Sequence, residues 1–563
     1  MNKQDQLKQQ IVEAVSRFQE DQLAVTCESI TVDFHTDNLV VTLSGATCPA
    51  EMEYAQDRNA RELLERSYNE LFEVIKPILE GKIQDILGRK VRRSRLNIDP
   101  CSGAGVILFT LAREACLEGQ TTACQRSETS HTTERTEIME ETYTMLLREK
   151  LTDENHQRLM ALDNPKLHRF VADTIELCQP DEVIVCDDSP ECIALTRRKS
   201  AEAAEETPLA IEGHTVHFDG PEDQGRDREV TKYLVPEGQT LSKALNQIER
   251  EQGLAEVRGI LQGCMKGRTM VVRFLTLGPN ESIFSIPCVE CTDSWYVSHS
   301  LNLLYRQGYE QFKHIGPTGD FFATLHSAGK VDERMTSVDV DKKRIYIDHT
   351  TDTVYSVNTQ YAGNTVGLKK IALRLTIRKA DREGWLAEHM FLMGVHGPSG
   401  RKTYFAGAFP SACGKTSTAM LPGETIVGDD IAYFRNIGGD CRAVNAEAGI
   451  FGIAQNVKAK DDPAIWDVLT KPGEVIFSNI LVKDGKPYWL GMGEELPDDG
   501  ENFSGSWHKD KKDGEGKDIP AARKNARYAV TLSALANVDS ELENPQGVVL
   551  GGIVYGGRDA RGY

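Results

Sequence analysis

Hydrophobic and polar residues alternate in two patterns over residues 1–118, and together the patterns predict a small α/β module. Strand-like alternation runs over Ser29–Phe34 and Leu39–Leu43. A long segment from Glu51 to Leu87 then carries apolar residues at helical spacing, and Val106–Leu111 follows as a last strand. We expect this module to be an accessory domain that supports self-association.

A second pattern predicts a strand that turns into a helix beneath a bound phosphate. The apolar run 404–406 precedes a loop of small residues, and Gly-Lys-Thr at 414–416 opens a helix that Pro422 must stop. Small residues let backbone N–H groups approach phosphate oxygens, and the helix N-terminus adds partial positive charge. Lys415 supplies a full charge, and Thr416 can place a hydroxyl on a divalent cation.

This loop departs from the general phosphate-loop pattern. The pattern has a glycine five positions before Gly414, where this chain has Phe409. The interpretation as a generic phosphate-loop ATPase or kinase is therefore less favoured, although it stays an alternative.

Two adjacent carboxylates follow the loop. The run 426–432 predicts a buried strand that carries Asp429 and Asp430 between apolar neighbours. Successive strand residues point to opposite faces, so the two carboxylates need different roles. Buried carboxylates are costly unless a cation compensates their charge, which favours a metal or a charged partner here.

Composition and charge narrow the function classes. The chain has 563 residues, enough for several domains, and a net charge of -20. We therefore expect small-molecule partners and no nucleic-acid partner. No run of about 18 apolar residues occurs, and the cysteines form no dense disulfide framework, so we expect a cytoplasmic protein without a membrane-spanning segment. Residues 119–165 are rich in Thr, Ser, Glu and Arg and predict a linker.

The residues FPSACGKTS at 409–417 resemble the phosphate loop of the GTP-type phosphoenolpyruvate carboxykinases. The resemblance begins at LCQPDEVIVCDDSPE (177–191) and continues to the end of the chain, through CTDSWYVSHS (291–300), which we interpret as strand and turn. It implies an α/β body with mixed sheets and two lobes, a substrate-side domain at 166–380 and a nucleotide- and metal-binding domain at 381–563. In the N-terminal module, DNLVVTLSG, LEGKIQDILGRKV and ILFTL resemble the C component of a bacterial membrane-potential-generating system.

The resemblance implies two cation sites. A lysine, a histidine and an aspartate hold Mn²⁺ on the substrate side, and these correspond to Lys369, His389 and Asp430, with His389 inside an apparent helical pattern. An ammonium group has no lone pair, so a ligating lysine must be neutral. Counting from Tyr361 instead of His389 shifts the register by one residue, so Lys370 is the alternative ligand. Mg²⁺ bound with GTP is implied at Thr416, with Asp429 toward that cation.

The resemblance also implies substrate and nucleotide contacts. Planar arginine forks suit carboxylate and phosphoryl oxygens, which gives Arg527 and Arg558 those roles and Arg197 a role at the substrate carboxylate. At a helix N-terminus beside Lys415, the Cys413 thiol should be reactive and is a catalytic candidate, together with Lys369, Lys370 and Arg527. The implied substrate contacts are Arg197, Tyr361, Gly363, Asn364, Ser411, Asn525 and Arg527, and the implied nucleotide contacts are Ser411, Ala412, Cys413, Gly414, Lys415, Thr416, Ser417, Asp429 and Arg558.

The implied activity is conversion of oxaloacetate and GTP to phosphoenolpyruvate, CO2 and GDP, in either direction. The family's active-site lid and aromatic guanine pocket lie beyond the point that corresponds to Tyr563, where this sequence stops. If the polypeptide ends there, we expect impaired base selectivity and water exclusion; if the sequence is a fragment, we expect an ordinary enzyme. A nucleotide-binding regulatory protein without turnover is a further alternative, as is a structural protein whose N-terminal module directs assembly.

Overall fold

The computed structural model describes residues 3–111 with short gaps at 24–26, 28, 36–37, 48, 56–57, 88, 90, 100–101 and 103. It also describes residues 143–557, apart from 221–222, 224–228 and 411–413. The chain divides into two compact units, Met1–Ser127 and Glu128–Tyr563, and each is treated separately below.

The first unit is an antiparallel sheet of four strands packed against helices. Its strands are β1 (Ser29–His35), β2 (Asn38–Ser44), β3 (Val91–Asp99) and β4 (Ala104–Leu111), in the order β1-β2-β4-β3. Its helices are Lys3–Leu23, Pro49–Tyr54 and Arg58–Leu87. The predicted α/β module is confirmed, but β3 was missed, because the sequence VRRSRLNID shows little alternation of apolar residues.

One face of this sheet forms the core of the first unit. Gly105, Ile107, Phe109 and Leu111 alternate as buried residues along β4. They pack with apolar residues of the two long helices, which recur at helical spacing: Ile11, Val15, Phe18, Phe72, Leu79 and Ile83.

The second unit is an α/β body built on four sheets. Its strands in chain order are β5 Glu182–Val185, β6 Thr207–Pro208, β7 His214–His217, β8 Thr231–Val235, β9 Gln247–Glu249, β10 Thr269–Leu277, β11 Ile286–Thr292, β12 Arg306–Gln307, β13 Phe322–Ser327, β14 Arg344–Asp348, β15 Thr353–Val357, β16 Leu386–Glu388, β17 Phe391–His396, β18 Lys402–Ala408, β19 Thr425–Gly428, β20 Ala432–Ile437, β21 Asp440–Asn445, β22 Gly449–Ile453, β23 Val475–Ser478, β24 Leu481–Lys483, β25 Lys486–Tyr488, β26 Asp499–Asn502, β27 Gly505–His508, β28 Arg527–Thr531 and β29 Val548–Tyr555. Its helices are Asp153–Met160, Pro165–Cys178, Pro190–Glu202, Arg250–Leu261, Trp295–Leu304, Tyr309–Ile315, Tyr361–Lys369, Thr376–Glu383, Lys415–Ala419 and Pro463–Thr470, with a π-helix at Lys370–Leu375.

Two of these sheets organise the two lobes. The first is a nine-stranded mixed sheet in the order β12-β10-β11-β13-β15-β14-β8-β9, with β5 beside β10. The second is a seven-stranded sheet in the order β16-β20-β21-β29-β18-β17-β19. Smaller sheets, β22-β28-β23-β7-β6 and β25-β24-β26-β27, complete the body. This two-lobed α/β architecture with mixed sheets agrees with the expected fold class.

Two sequence interpretations in the second unit were wrong. Residues 291–300 are not strand and turn throughout, because a helix begins at Trp295. The Ser294 side chain caps this helix by accepting a hydrogen bond from the Val297 amide. This helix is buried on nearly every side, so it has no amphipathic period. The predicted linker also ends early: Leu159 and Leu162 belong to a core cluster of the second unit, while residues 112–142 lie outside the described part.

No helix among the described residues is both long and apolar enough to cross a membrane.

Candidate active site

A cavity of about 870 Å³ lies in the second unit and collects most of the predicted site residues. Its lining includes Tyr361, Lys369, Lys370, His389, Gly414, Lys415, Thr416, Ser417, Asp429, Asp430, Asn525 and Arg527. Gly363, Asn364 and Arg197 are not among the residues that line it. Ser411, Ala412, Cys413 and Arg558 lie outside the described residues.

The predicted strand before the phosphate loop and the short helix after it are confirmed. Strand β18 ends at Ala408, and a helix of five residues, Lys415–Ala419, follows the loop. Gly414 begins this helix with φ of 86°, a left-handed conformation that glycine adopts without steric cost. Strand β29 runs parallel to β18, and the Gly556 amide donates to the Ala408 carbonyl at 2.9 Å. Two neighbouring strands therefore end together at the loop, the usual position of a ligand site in such sheets.

The sequence pattern suggested a helix at His389, but His389 does not lie on a helix. It lies between β16 and β17, which belong to the same sheet but have different neighbours, β20 for β16 and β18 for β17. The apparent helical spacing comes from Phe391 and Leu392, which are buried because β17 is covered on both faces. Strand pairing thus overrides the local pattern.

Asp429 and Asp430 lie in a bend and not within a strand, which corrects the predicted strand 426–432. Strand β19 ends at Gly428, and β20 begins at Ala432 beside other partners. A Cβ atom at Gly428 would lie 2.3 Å from Cγ of Asn445, so only glycine fits at this change of partner. The bend still separates the two carboxylates: Asp429 is 7% exposed, whereas the Asp430 side chain is 24% exposed.

The three residues proposed to hold a cation converge on one point of the cavity. His389 Nε2 lies 2.7 Å from Asp430 Oδ1 and 3.2 Å from Lys369 Nζ. Lys369 Nζ donates to Asp430 Oδ2. Lys415 of the phosphate loop joins the same cluster, with Nζ 3.0 Å from His389 Nε2 and a hydrogen bond to Asp430 Oδ1.

Electrostatics keep the Asp430 carboxylate ionised. Burial acts to raise the pKa of Asp430, but the hydrogen bond from His389 and the charges of Lys369 and Lys415 outweigh burial and hold this pKa well below its usual range. Burial raises the pKa of Asp429, against the charge of Lys415 and a hydrogen bond from the Thr416 hydroxyl. The two adjacent carboxylates therefore differ in proton affinity, as different roles require.

The residues of the cluster fit a divalent cation. Imidazole nitrogen, carboxylate oxygen and a neutral amine form a mixed donor set that a transition-metal dication accepts. Asp429 Oδ1 is buried and has no hydrogen-bond partner among the described residues, next to the Thr416 hydroxyl, which leaves an oxygen for a second cation or its water. Among the described residues no three histidine, cysteine, aspartate or glutamate side chains gather into a metal site.

The geometry favours Lys369 over Lys370 in the cluster. Lys369 is the last residue of the helix Tyr361–Lys369, and the π-helix Lys370–Leu375 follows. Lys370 also lines the cavity.

The turn before Lys369 is held in a strained conformation. Ala362, Gly363 and Asn364 have φ values of 51°, 66° and 58°. The Asp219 carboxylate accepts from the Ala362 amide at 3.1 Å, and the Asp223 carboxylate accepts from the Tyr361 amide at 3.1 Å. Such strain persists where the surrounding structure over-determines it, commonly at functional sites.

Two residues of this turn are not among the cavity-lining residues, and neither is Arg197. Asn364 is 1% exposed and exchanges hydrogen bonds with Ser356 and Glu290. A Cβ at Gly363 would lie 2.4 Å from the Ser300 hydroxyl, so this glycine allows close packing. Arg197 lies on the helix Pro190–Glu202, and its Nε is 3.9 Å from Glu474 Oε1.

Asn525 and Arg527 meet Tyr361 and Phe451 on the opposite wall. Asn525 Nδ2 donates to the Tyr361 hydroxyl at 3.3 Å. The Arg527 guanidinium lies 4.9 Å from the centre of the Phe451 ring, and its Nε is buried without a hydrogen-bond partner among the described residues. An arginine beside an aromatic ring with one unused donor suits an anion in the cavity.

Sequence reasoning missed Tyr305 and Glu447, which also line the cavity. The Tyr305 hydroxyl donates to Glu447 Oε1 at 3.2 Å. Burial, reinforced by the charge of Asp430, raises the pKa of Glu447 to about 8. Glu447 is the acidic residue of NAEAGIFGIA, a segment that the resemblance covers. An acidic residue among apolar neighbours was the sequence feature that could have identified it.

The fold and the site together define a nucleotide-dependent phosphotransferase, with a phosphate loop beside a cation site. Family models agree with this class: the phosphoenolpyruvate carboxykinase N-terminal domain matches residues 169–381, and the phosphoenolpyruvate carboxykinase C-terminal P-loop domain matches residues 385–563. A third family, the Na⁺-translocating membrane potential-generating system (MpsC), matches residues 3–113.

Curated relatives called phosphoenolpyruvate carboxykinase [GTP] extend the match. The protein of Pyrococcus abyssi is 57% identical over 414 residues, which are 73% of this chain and 67% of the relative. The protein of Saccharolobus solfataricus is 45% identical over 404 residues, 72% of this chain and 63% of the relative. The protein of Chlamydia trachomatis is 35% identical over 411 residues, 70% of this chain and 67% of the relative. The chain belongs to the family of GTP-type phosphoenolpyruvate carboxykinases, and its match spans about two thirds of the length of these relatives.

Proposed function

We propose that this chain is a phosphoenolpyruvate carboxykinase that converts oxaloacetate and GTP reversibly to phosphoenolpyruvate, CO2 and GDP. The observation that carries the proposal is the meeting of Lys369, His389 and Asp430 with the phosphate-loop Lys415 in one cavity. A phosphotransferase acting on an oxo acid needs a cation site within reach of the transferring phosphoryl group, and this arrangement supports one.

Lys369, His389 and Asp430 would hold Mn²⁺ at the substrate, and Thr416 with Asp429 would hold Mg²⁺ bound with GTP. The family generally uses divalent metals, and the choice of these two ions is our proposal. When bound, they supply Lewis-acid polarisation of the substrate carbonyl and neutralise charge on the phosphoryl oxygens.

The proposed reaction has two steps. The bond between the leaving carboxylate and C3 of oxaloacetate breaks, CO2 departs, and the electron pair remains as an enolate. The enolate oxygen then attacks the γ-phosphorus of GTP, and the bond to the β–γ bridging oxygen breaks with its electron pair on GDP. Proton transfer is not required in either step, so the residues mainly bind and orient.

The residues of the chain would divide this work by position. Lys415, with the loop residues Ser411–Ser417, would bind the β- and γ-phosphates, because backbone amides and a lysine there meet the oxygens. Arg527 would place its fork between the substrate and the γ-phosphoryl group, aided by Asn525 and Tyr361. Arg558, two residues after Gly556 at the loop, is proposed for the nucleotide phosphates.

Several expectations from the sequence remain predictions. Cys413 is proposed as a reactive thiol beside Lys415, which nucleotide should protect from alkylation. Substrate roles for Arg197, Gly363 and Asn364 draw no support from the cavity lining. A cytoplasmic location and self-association through residues 1–118 are likewise still predictions.

A coupled assay tests the proposal. The full chain is incubated with oxaloacetate, GTP and Mn²⁺, and phosphoenolpyruvate and GDP are measured separately. We expect both products in equal amounts, and a large loss with His389→Ala but not with Lys471→Ala, an exposed lysine that pairs with Asp467. GTP hydrolysis that neither needs oxaloacetate nor responds to His389→Ala would favour a generic phosphate-loop NTPase. Tight nucleotide binding without products would favour a regulatory nucleotide-binding protein.

A further inference from the structure

Arg306 is a buried arginine that lies directly behind the cavity wall. Its side chain is 5% exposed, and it follows Leu304 and Tyr305, which both line the cavity. The sequence offers no reason to single it out, because it is one arginine in the two-residue strand β12. Its contacts set it apart.

The guanidinium of Arg306 binds two separate segments of the chain. Nη1 donates to three successive carbonyl oxygens, of Asn445, Ala446 and Glu447, each at 3.3 Å. Nη2 donates to the Leu542 carbonyl at 3.3 Å, and Nε donates to Glu543 Oε2 at 2.6 Å. A planar fork with five donors can serve all these acceptors, whereas a lysine ammonium cannot.

The first segment, 445–447, supports the bend that carries Asp429 and Asp430. The Ala446 amide donates to the Ile431 carbonyl at 2.9 Å. On the other side of the bend, a Cβ at Gly428 would lie 2.3 Å from Asn445 Cγ. Residues 445–447 therefore contact the backbone immediately before and after the two aspartates.

The same segment also carries a cavity residue. Glu447 lines the cavity, and its Oε1 accepts from the Tyr305 hydroxyl at 3.2 Å. Arg306 thus holds Glu447 by a hydrogen bond to the Glu447 carbonyl oxygen, and it directly follows Tyr305 in the chain. Its hydrogen bonds to the Asn445 and Ala446 carbonyls hold the segment that contacts the aspartate bend.

We propose that Arg306 is a positioning residue of the cation site, which acts through the 445–447 segment to hold Asp430 and Asp429 in register with Lys369, His389 and Thr416. The inference rests on the proposed function for its effect on turnover. It also has a readout that does not depend on that function, since cation binding is measured directly.

A control arginine lies in a strand of the other large sheet. Arg442 lies in β21, three residues before Asn445, and its Nη1 donates to the carbonyls of Gln546 and Gly547 at 3.4 and 3.2 Å. It ties β21 to the same part of the chain that follows Leu542, but among the described residues its hydrogen bonds do not reach segment 445–447, and it does not line the cavity.

The test compares Arg306→Lys and Arg442→Lys in the full chain. Mn²⁺ binding is titrated by the electron paramagnetic resonance signal of the free ion, and binding of a fluorescent GDP analogue is measured without metal. Partners that orient ligands typically contribute 10–100-fold to metal affinity, so we expect Arg306→Lys to weaken Mn²⁺ binding by about tenfold. We expect GDP binding without metal to stay within about twofold, and Arg442→Lys to leave Mn²⁺ affinity unchanged.

The inference is overturned if Arg306→Lys binds Mn²⁺ as wild type does, or if both variants lose Mn²⁺ and nucleotide binding equally. If Arg306→Lys does not fold, Gly428→Ala strains the same contact from the other side, and there an unchanged Mn²⁺ affinity overturns the inference. Wild-type protein that binds Mn²⁺ but forms no phosphoenolpyruvate would refute the proposed function alone, because the Mn²⁺ comparison would still decide the role of Arg306.

Discussion

Two histidines of the second unit contact carboxylates closely, yet their surroundings differ completely. His299 is 0% exposed, and its two ring nitrogens face Glu206 at 2.9 Å and Glu474 at 3.0 Å. His389 has a side chain 38% exposed and meets Asp430 at 2.7 Å through Nε2, in a cavity shared with two lysines.

The difference distinguishes a buried ion network that contributes to stability from a cluster in a cavity that can accept a ligand. Both nitrogens of His299 are occupied by carboxylates, so this histidine has no atom left for a ligand. The contacts of His389 all converge on Nε2, and the same atoms could instead surround a cation. Perturbed groups in a cleft are candidates for function, whereas the same groups in a closed core contribute mainly to stability.

The largest expected effect breaks the comparison at the cavity. His389→Ala should lower turnover of oxaloacetate and GTP by about 10²–10³-fold, the usual size when a preorganised electrostatic partner is lost. His299→Leu should leave turnover per folded molecule near the wild-type value. Steady-state kinetics on both variants checks this, and a large loss of kcat in folded His299→Leu would contradict the distinction.

The two lysines sharpen the comparison within the cavity. Lys369→Ala should reduce Mn²⁺ affinity and turnover by about 10²-fold, because Lys369 contacts both His389 and Asp430. Lys370→Ala should reduce Mn²⁺ affinity and turnover by less than about tenfold. Titration with Mn²⁺ ranks the two variants, and the reverse order would make Lys370 the ligand.

The closed network should appear in stability. His299→Leu should destabilise the second unit by about 3 kcal/mol, because it leaves the Glu206 carboxylate buried with the Ser200 and Thr215 hydroxyls but without its cationic partner. Urea unfolding followed by tryptophan fluorescence measures the shift. Lys471→Ala serves as a surface control, and an equal stability of the His299 variant and this control would argue against a charged pair.

The pH dependence of the stability of the same variant tests the charge on His299. Burial opposes protonation of His299, but the charges of Glu206 and Glu474 and their hydrogen bonds raise its pKa to about 9. The stabilisation is therefore fully present below the ordinary histidine pKa of about 6.5 and is lost as pH rises through about 9.

Glu206 sets the acid limit of this window. Burial acts to raise its pKa, but the charge of His299 outweighs burial and lowers it, so its contribution is present above the ordinary glutamate pKa and lost as pH falls through the lowered value. The stability difference between wild type and His299→Leu should shrink by about 3 kcal/mol between pH 6 and pH 10. Urea midpoints at the two pH values check this, and a constant difference would contradict a protonated His299.

Local sequence predicted those parts of the fold that depend on neighbouring residues. The helix after the phosphate loop begins at Lys415 and ends before Pro422 because glycine and proline act within one turn. The strands β1, β2 and β4 follow from alternation over single segments. The match to the carboxykinase family also rests on local motifs.

Errors arose where distant partners decide the backbone. His389 and the aspartate bend lie at changes of strand partner, and pairing with β20 or β18 cannot be read from the residues themselves. The substrate role of Arg197 stays a prediction, and its Nε lies 3.9 Å from Glu474 Oε1. An isolated arginine carries no local signal for its partner.

The amino-acid sequence by itself determined the chemistry that this protein can offer: a phosphate loop with Lys415 and Thr416, and a lysine, a histidine and two aspartates of the right types. Only the tertiary structure decided that Lys369, His389, Lys415 and Asp430 share one point, and that Arg306 lies behind it. The reason is physical: these residues come from segments far apart in the chain, and sheet pairing, a π-helix and a glycine at a tight contact bring them together.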